Sequence, residues 1–253
     1  MIQLSVVMVM KNAEKLLDIV LKQAAQVADE IVIVDAGSTD QSLDIAKRYS
    51  ATIIQQEWLG FGKQKQKAVD ASIGAWILVL DADEVLTDEL IASIKSLKNA
   101  EFKVPYQAYE IKRPLVFAGK VLRRSISLWT LRLFKRGCGR FNEALVHETL
   151  MIEGSIGRIF RGEMRHYSYL SVSDWVDRMQ RYTDLSIPEQ VSSIKATVSF
   201  ALLSASFTFI KIYFLKAGFL EGRLGLVLAI NWAISNYLKY LKWALKSEFK
   251  ILD

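Results

Sequence analysis

The chain has 253 residues, enough for one large domain with an appendage, and 51% of them are hydrophobic, which allows a sizeable core. The aromatic content of 11% excludes a disordered chain, and a single cysteine, Cys138, excludes a disulfide framework and a multi-cysteine metal site. The net charge is +6, of which residues 191–253 carry +5, from eight Lys or Arg and three Asp or Glu. The first 190 residues are therefore nearly neutral, while the remainder is basic and apolar.

Strands and helices alternate through the first hundred residues. Apolar runs predict four strands, at LSVVMVM, EIVIVDA, ATIIQQ and AWILVLD. Helical spacing predicts four helices, at 12–27, 38–49, 63–72 and 88–97. This alternation predicts an α/β fold with a mostly parallel sheet and helices on both faces. Because ligands bind beyond the carboxyl ends of the strands in such sheets, VIVDAGSTD and LVLDADE should meet in one cleft.

The pattern changes after the first hundred residues. From Val104 to about His166, three segments predict short strands with basic loops: YQAYEIKRPLVF, SLWTLRLFKRG and LVHETLMI. A helix is predicted over 173–182. The shift in composition near residue 190 predicts a body of residues 1–190 followed by a helical tail of residues 191–253.

Three carboxylates follow the predicted strand ILVL, namely Asp81, Asp83 and Glu84. Clustered negative charge costs free energy unless a positive group lies beside it. Asp81 and Asp83 are one residue apart and can reach a Mg²⁺ or Mn²⁺ ion, which such carboxylates usually share with substrate phosphates. The alternative is a solvated cluster that caps the next helix. The position of this cluster after VDAGSTD favours the metal.

Asp35 ends an earlier predicted strand and begins the turn VDAGSTD. Gly37 permits a tight turn or the close approach of a ligand, and Ser38 or Asp40 can cap the next helix, whose N-terminus favours anions. An ordinary strand-to-helix turn explains the same residues equally well. The sequence contains no G-x-x-x-x-G-K-[ST] loop and no G-x-S-x-G elbow, so neither P-loop nor serine-hydrolase chemistry is supported.

The tail contains two uncharged runs of 15 residues, 196–210 and 224–238, which are shorter than the roughly 20 residues needed to cross a bilayer. Polar and basic residues recur at helical spacing in and after the second run: Asn231, Ser235, Lys239, Lys242 and Lys246. Trp232, Tyr237, Tyr240 and Trp243 add aromatic side chains suited to a water–lipid boundary. This pattern predicts a helix that lies in the membrane surface. A core-packing helical hairpin and a dimer interface are the alternatives.

Four segments of the chain resemble family 2 glycosyltransferases of the GT-A fold: SVVMVMKN, EIVIVDAGSTD, GFGKQKQKAVDAS and AWILVLDADE. Three later segments are similar to bacterial enzymes of lipopolysaccharide core synthesis, especially β-1,4-glucosyltransferases: LVHETL, RHYSYLS and KAGFLEGRLGL. The resemblance implies a GT-A catalytic domain at 1–190. Within it, residues 1–100 form the nucleotide-sugar-binding half and residues 101–190 the acceptor-side half.

The resemblance also implies roles for residues of the first half. Asp35 matches the acid that contacts the nucleobase, usually uracil. Asp81 matches the acid near the ribose or the metal, and Asp83 the metal ligand that bridges to the donor diphosphate. Lys65 matches a basic residue near the nucleotide. Gln66 stands where the family commonly has Asn, so the resemblance does not define the contacts made from that helix.

Glycosyl transfer requires a base for the acceptor hydroxyl and positive charge on the leaving diphosphate. Glu148 in VHETL is the candidate base, and its neighbour His147 is interpreted as a structural hydrogen-bonding residue. His166 matches the late histidine that GT-A enzymes bring to the metal or diphosphate. The basic stretches 123–124 and 132–140 fit an acidic, phosphorylated acceptor or an ordinary surface equally well.

These features predict a metal-dependent, inverting hexosyltransferase on the cytoplasmic face of the bacterial inner membrane. The expected donor is UDP-glucose, the cofactor Mg²⁺ or Mn²⁺, and the acceptor a lipid-anchored saccharide, which the resemblance implies to be the lipopolysaccharide inner core. A polyprenyl-phosphate sugar transferase would share the donor site and the tail, and a nucleotide-sugar-binding scaffold without turnover is an alternative of another class. Nucleic acid is not an expected partner, and self-association is left open.

Overall fold

The computed structural model describes residues 2–123, 128–142, 148–169, 172–186 and 197–249. It divides into two compact units, Met1–Pro114 with Leu128–Tyr167 and Leu115–Ser127 with Ser168–Asp253. The strands in chain order are β1 (Leu4–Met10), β2 (Glu30–Asp35), β3 (Thr52–Gln55), β4 (Trp76–Val79), β5 (Glu84–Leu86), β6 (Ala108–Arg113), β7 (Leu115–Phe117), β8 (Lys120–Leu122), β9 (Leu128–Lys135), β10 (Gly139–Phe141), β11 (Leu150–Ile152), β12 (Ile156–Ile159) and β13 (Met164–Tyr169). The helices are α1 (Glu14–Ala24), α2 (Ser42–Arg48), α3 (Phe61–Ala71), α4 (Asp88–Asn99), α5 (Val172–Leu185), α6 (Val198–Ile210) and α7 (Arg223–Phe249).

The first unit is built on a sheet with strand order β12-β6-β9-β4-β1-β2-β3. Strands β1, β2, β3 and β4 pair in parallel, as do β6 and β12, and only β9 runs antiparallel to its two neighbours in this sheet. The predicted α/β fold with a mostly parallel sheet is therefore confirmed. The ends of the predicted helices and strands differ from the observed ends by a few residues.

Alternate side chains of β1 enter two different apolar clusters. Val6 and Met8 pack in the cluster that includes Leu17 of α1, with side chains of α2 and α4. Val7 packs in the cluster that includes Ala68 of α3. Because successive side chains of a strand point to opposite faces, these clusters lie on the two faces of the sheet. Helices therefore cover both faces, as predicted.

Two smaller strand pairs complete the first unit. Strand β5 pairs antiparallel with β13, with His166 opposite Glu84. Strands β10 and β11 form an antiparallel pair in which Phe141 lies opposite Leu150. Strand β5 follows the acidic turn after β4, and the sequence patterns predicted none of β5, β12 and β13 as separate strands.

The second unit contains the β7–β8 hairpin, α5 and the helices of the tail. Its apolar core is formed by Leu115, Phe117, Leu122, Trp175 and Leu228. Helix α6 continues through a π-helical turn at Lys211–Leu215, so its apolar segment is longer than the predicted run. By length and composition alone, Val198–Leu215 is the one helix among the described residues that could cross a membrane. The predicted domain boundary near 190 falls at 187–196, outside the described residues.

Candidate active site

Two acidic turns lie at the same edge of the sheet of the first unit. Strands β2 and β4 flank β1 in parallel, so their carboxyl ends point the same way. Asp35 is the last residue of β2, and Asp81 follows β4 after Leu80. The convergence of VDAGSTD and LVLDADE on one edge, predicted from the strand pattern, is thus a property of the fold.

Asp81 and Glu84 are neutralised by side-chain cations. The Nη2 atom of Arg132 lies 2.8 Å from Oδ2 of Asp81 and 2.6 Å from Oε1 of Glu84. Arg113 donates through Nε to the same Glu84 oxygen and lies 3.7 Å from Oδ2 of Asp81. Glu84 also accepts from the backbone N–H of Asp81 at 2.9 Å. Two of the three clustered carboxylates, those of Asp81 and Glu84, therefore have cationic partners, so their charges do not by themselves call for a metal ion.

Lys65 links Asp81 to Glu148, the candidate base. Its Nζ lies 2.7 Å from Oδ1 of Asp81 and 2.7 Å from Oε1 of Glu148. Helix α3 supplies Lys65, the turn after β4 supplies Asp81, and Glu148 precedes β11. We call these six residues the charge cluster: Lys65, Asp81, Glu84, Arg113, Arg132 and Glu148. With three carboxylates and three cations, it is neutral overall.

A β-bulge places Arg132 in the cluster. In the β6–β9 pairing, Tyr109 lies opposite Leu133 and Glu110 opposite Leu131, so Arg132 is the extra residue of the bulge. In a regular strand, Leu131 and Leu133 would point to the same face of the sheet. Because of the bulge, Leu133 packs in the apolar cluster on one face and Leu131 against the cluster on the other. Bulges commonly redirect a side chain next to an active site.

The ion pairs of the cluster override the effect of burial on protonation. Burial alone opposes ionisation of Asp81, but the charges of Arg132, Lys65 and Arg113 hold the pKa of its carboxyl well below the usual range. Burial likewise opposes the charge of Lys65, and Asp81 and Glu148 nevertheless raise the pKa of its ammonium group. Asp81 and Lys65 are therefore both charged at neutral pH.

Asp83 and His166 lie side by side. The backbone N–H of Tyr167 donates to the Asp83 carbonyl at 2.8 Å, and this contact of β13 brings Nε2 of His166 to 3.5 Å from Oδ1 of Asp83. Both side chains are partly accessible. The predicted metal-binding residues are thus neighbours, although no group of three or more His, Cys, Asp or Glu suited to a metal is found among the described residues. Their role as metal ligands stays a prediction.

Asp35 is fully buried and holds its own turn. Its carboxylate accepts from the backbone N–H groups of Gly37 and Ser38, each at 3.1 Å, and from the Ser38 hydroxyl at 2.5 Å. These bonds match the alternative of an ordinary capped turn. The predicted nucleobase contact of Asp35 remains a prediction.

Sequence reasoning did not assign Arg113 and Arg132 to the site. Arg132 belonged to a stretch assigned to the acceptor or to a plain surface, but it is buried at 6% exposure. The available signal was a single charged residue, an arginine, within the largely apolar segment LWTLRLF. His147 and Arg124 lie outside the described residues.

Comparisons with known proteins agree with this architecture. Residues 5–138, just over half of the chain, match the family model described as Glycosyl transferase family 2. An uncharacterized glycosyltransferase of Rickettsia typhi is 27% identical over 251 residues, covering 95% of this chain and 86% of that protein. The lipopolysaccharide core biosynthesis glycosyltransferase LpsC of Rhizobium meliloti is 28% identical over 238 residues, covering 88% of this chain and 87% of LpsC.

A solved structure shares the fold. S. aureus TarS 1–349, solved in complex with UDP, superposes with a TM-score of 0.51 at 16% identity, covering 98% of this chain and 92% of that chain. This likeness shows a shared fold, whereas the match to the family model is a match of sequence. The chain belongs to glycosyl transferase family 2.

Proposed function

We propose that this glycosyltransferase moves a hexose from a UDP-sugar, with UDP-glucose the first candidate, to a lipid-linked saccharide of the lipopolysaccharide core. One observation carries the proposal: Lys65 holds the Glu148 carboxylate next to the acidic turn after β4. A potential base and the donor-side acids are thereby fixed together. The name of the relative LpsC supports the acceptor class, and the UDP held by TarS supports the donor.

The reaction assigned to Glu148 is proton transfer. Its carboxylate takes the proton of the acceptor hydroxyl as that oxygen attacks the anomeric carbon of the donor sugar and the bond to the diphosphate breaks. The ammonium of Lys65 lies 2.7 Å from this carboxylate and fixes its position beside the donor-side acids. Attack from the face opposite the leaving group inverts the configuration and gives a β-linkage from an α-linked donor.

Asp83 and His166 fit a divalent cation. They offer an oxygen and a nitrogen donor 3.5 Å apart, a set that Mn²⁺ or Mg²⁺ can complete with phosphate oxygens and water. When bound there, the ion supplies the positive charge that stabilises a leaving diphosphate. In the charge cluster, the guanidinium groups of Arg113 and Arg132 are paired with Asp81 and Glu84.

The second unit supports a lipid-linked acceptor. Apolar side chains of α6 and its continuation are exposed, including Leu203 and Leu215, each at 71%. Such surfaces in a basic segment favour contact with anionic lipid. We place the enzyme at the cytoplasmic face of the inner membrane for this reason.

The test combines donor binding with two variants. A panel of nucleotide sugars is screened by thermal shift with and without Mn²⁺, and transfer to core-truncated lipopolysaccharide is then assayed with the best donor. We expect Glu148→Gln to lower kcat by about 100-fold or more while donor binding persists. Asp83→Asn should remove the Mn²⁺-dependent part of donor binding. Glu153→Gln, an exposed carboxylate beyond β11, is the matched control.

Two results would overturn the proposal. Transfer by Glu148→Gln at near the wild-type rate removes the proposed base. The second result is that a nucleotide sugar stabilises the protein but neither the wild type nor the variants transfer sugar to any saccharide acceptor. The protein would then be a binding scaffold.

A further inference from the structure

Helix α3 contacts the segment that carries the candidate base through two adjacent residues. Nζ of Lys65 lies 2.7 Å from the carboxylate of Glu148. The next residue, Gln66, accepts from the backbone N–H of Phe141 in β10 through its Oε1 atom, at 2.9 Å. Successive side chains of a helix point about 100° apart, so these are two separate contacts made by one rigid element.

Strands β10 and β11 connect the amide of Gln66 to the backbone of the candidate base. Phe141 belongs to the antiparallel β10–β11 pair. Beyond it, the N–H of Asn142 donates to the carbonyl of Thr149 at 3.1 Å, and the N–H of Thr149 donates to Oδ1 of Asn142 at 3.0 Å. Thr149 is covalently bonded to Glu148. Each step from Gln66 to Glu148 is therefore a hydrogen bond or a peptide bond of the structure.

Asp70 gives the amide of Gln66 a single orientation. Nε2 of Gln66 donates to Oδ1 of Asp70, one helical turn later, at 2.7 Å. An ionised carboxylate can only accept and a backbone N–H can only donate, so only one of the two amide orientations satisfies both neighbours. The oxygen of the amide is thereby directed to Phe141.

Apolar packing alone does not fix the strand pair on the helix. Phe141 and Leu150 pack in the same apolar cluster as Ala68 of α3. Such contacts are non-directional, whereas a hydrogen bond requires alignment of the donor with the acceptor. The bond from Phe141 to Gln66 therefore defines the position of β10 along α3.

We propose that Gln66 is a positioning residue for Glu148: it fixes the backbone from which the base extends, while Lys65 fixes the carboxylate. The inference rests on the proposed function in taking Glu148 as the base. A base must lie within hydrogen-bonding reach of the proton it takes. Because a displacement of about 1 Å can lower a rate by about 100-fold, the anchoring of the backbone matters as well as that of the carboxylate.

The first experiment measures this anchoring without catalysis. Amide hydrogen exchange of Phe141 and Thr149 is followed by NMR spectroscopy in the full chain, in wild type and in Gln66→Met. Methionine has a similar length but lacks the amide, so we expect exchange at both positions to be faster by about 3- to 10-fold, the effect of one hydrogen bond. Gln26→Met is the matched control, because Gln26 is exposed and its amide bonds to Gln23 on α1.

The second experiment tests whether Gln66 acts through the base. Gln66→Met should lower kcat by about tenfold or more and leave the KM for the donor unchanged. In the Glu148→Gln background the same change should lower kcat by no more than about twofold, because a positioning residue has no effect once its base is absent. Gln26→Met should alter kcat in neither background.

A reciprocal exchange of side chains separates the polar bonds from the shape of the residue. Gln66→Glu places a second carboxylate against Asp70, and its repulsion should move the side chain and lower kcat as in Gln66→Met. Adding Asp70→Asn supplies an amide that donates to the new carboxylate, which then accepts from Phe141. We expect the double variant to recover the exchange rates and kcat to within about threefold of wild type.

Three results would overturn the inference. Unchanged exchange of Phe141 and Thr149 in Gln66→Met means that the amide does not hold the strand pair. Equal losses of kcat with and without Glu148 mean that Gln66 acts independently of the base. A double variant as slow as Gln66→Glu excludes the polar bonds as the cause.

Failure of the proposed function gives a different result. If Glu148→Gln transfers sugar at the wild-type rate, or if the protein transfers no sugar, Glu148 is not the base. The exchange of Thr149 still shows in that case whether Gln66 holds the segment next to Glu148.

Discussion

Arg132 shows how one residue can decide the state of a whole site. Its guanidinium joins Asp81 and Glu84, and it reaches them only because a bulge turns it out of the regular alternation of β9. Glu84 is fully buried, so an unpaired charge there would be expensive. The arginine therefore serves first to make the acidic turn stable.

Replacing Arg132 by glutamine should destabilise the protein by about 3–5 kcal/mol, because it leaves buried carboxylates with too few cations. Urea unfolding at neutral pH measures the loss. Arg136→Gln, an exposed arginine of the following turn, should change stability by no more than about 0.5 kcal/mol. Equal stability of the two variants would show that Arg113 and Lys65 suffice for the acidic turn.

The acids of the site were predictable from the sequence, but most of their partners were not. Asp81, Asp83 and Glu84 are adjacent in sequence and follow a recognisable strand, so local pattern and family resemblance identify them. Arg132 pairs with residues 51 and 48 positions away. Only the sheet order and the bulge bring them together, and neither can be read from a local pattern.

At the scale of elements, Asp29 joins three parts of the first unit. Its carboxylate accepts from the backbone N–H groups of Gln3 and Leu4, at 3.0 Å and 3.1 Å, and lies 2.5 Å from Nζ of Lys98 at the end of α4. Burial opposes its ionisation, but the bonds from Lys98 and from the two backbone groups outweigh burial and lower its pKa. The loop before β2 is thus tied to β1 and α4 by one charge.

This lowered pKa predicts a pH dependence of stability. The stabilisation is fully present above the pKa of the unfolded chain, about 4, and is lost as the pH falls through the lower pKa of the folded state. Asp29→Asn should therefore be less stable than wild type at pH 7, and the difference should shrink below about pH 4. Urea unfolding at several pH values measures it, with exposed Asp44→Asn as the control. A difference that does not change with pH would assign the effect to the backbone contacts instead.

Gly162 permits the loop between β12 and β13 to pass against the start of α4. Its φ is +91°, and a Cβ there would lie 2.2 Å from the backbone nitrogen of Leu90. Gly162→Ala should cost more than about 2 kcal/mol, from combined strain and overlap. Gly137→Ala is the matched control, because its φ is +87° with nothing within 4 Å of a Cβ. It should cost only about 1–2 kcal/mol. Chemical denaturation compares them, and equal losses would exclude the overlap with α4.

The elements of the first hundred residues were predictable because each has a clear period and capping or turn residues. The short strands β5, β12 and β13 were not. Strand β5 has three residues and begins with a charged one, Glu84, which reads locally as part of an acidic loop. Its pairing with β13, far along the chain, makes it a strand. Tertiary contacts override local pattern in such short segments.

On the scale of the whole molecule, charge and apolar exposure are both uneven along the chain. Residues 191–253 carry nearly all of the net charge. Within the second unit, α6 and α7 are joined by Asn236, whose Nδ2 lies 2.7 Å from Oγ of Ser204 and 2.8 Å from Oγ1 of Thr208. Polar contacts of this kind hold helices together where apolar packing gives no preference, as in lipid. The outer apolar surface includes these exposed side chains: Leu202, Leu203, Phe207, Ile210, Phe214 and Leu215.

If this surface contacts lipid, a charge placed on it should release the protein. Phe207 is 60% exposed, and Phe207→Glu should lower binding to anionic vesicles by roughly tenfold or more, since burial of a phenylalanine contributes about 1.5–3 kcal/mol. Phe160→Glu is the matched control, because Phe160 is 79% exposed but belongs to the first unit. Co-sedimentation at low and high salt separates the apolar contribution to binding from the electrostatic one, since salt should weaken only the attraction of the basic side chains. Vesicle binding that Phe207→Glu leaves intact would exclude this surface as the membrane contact. Loss of self-association in the same variant would identify the surface as an interface between two copies of the chain.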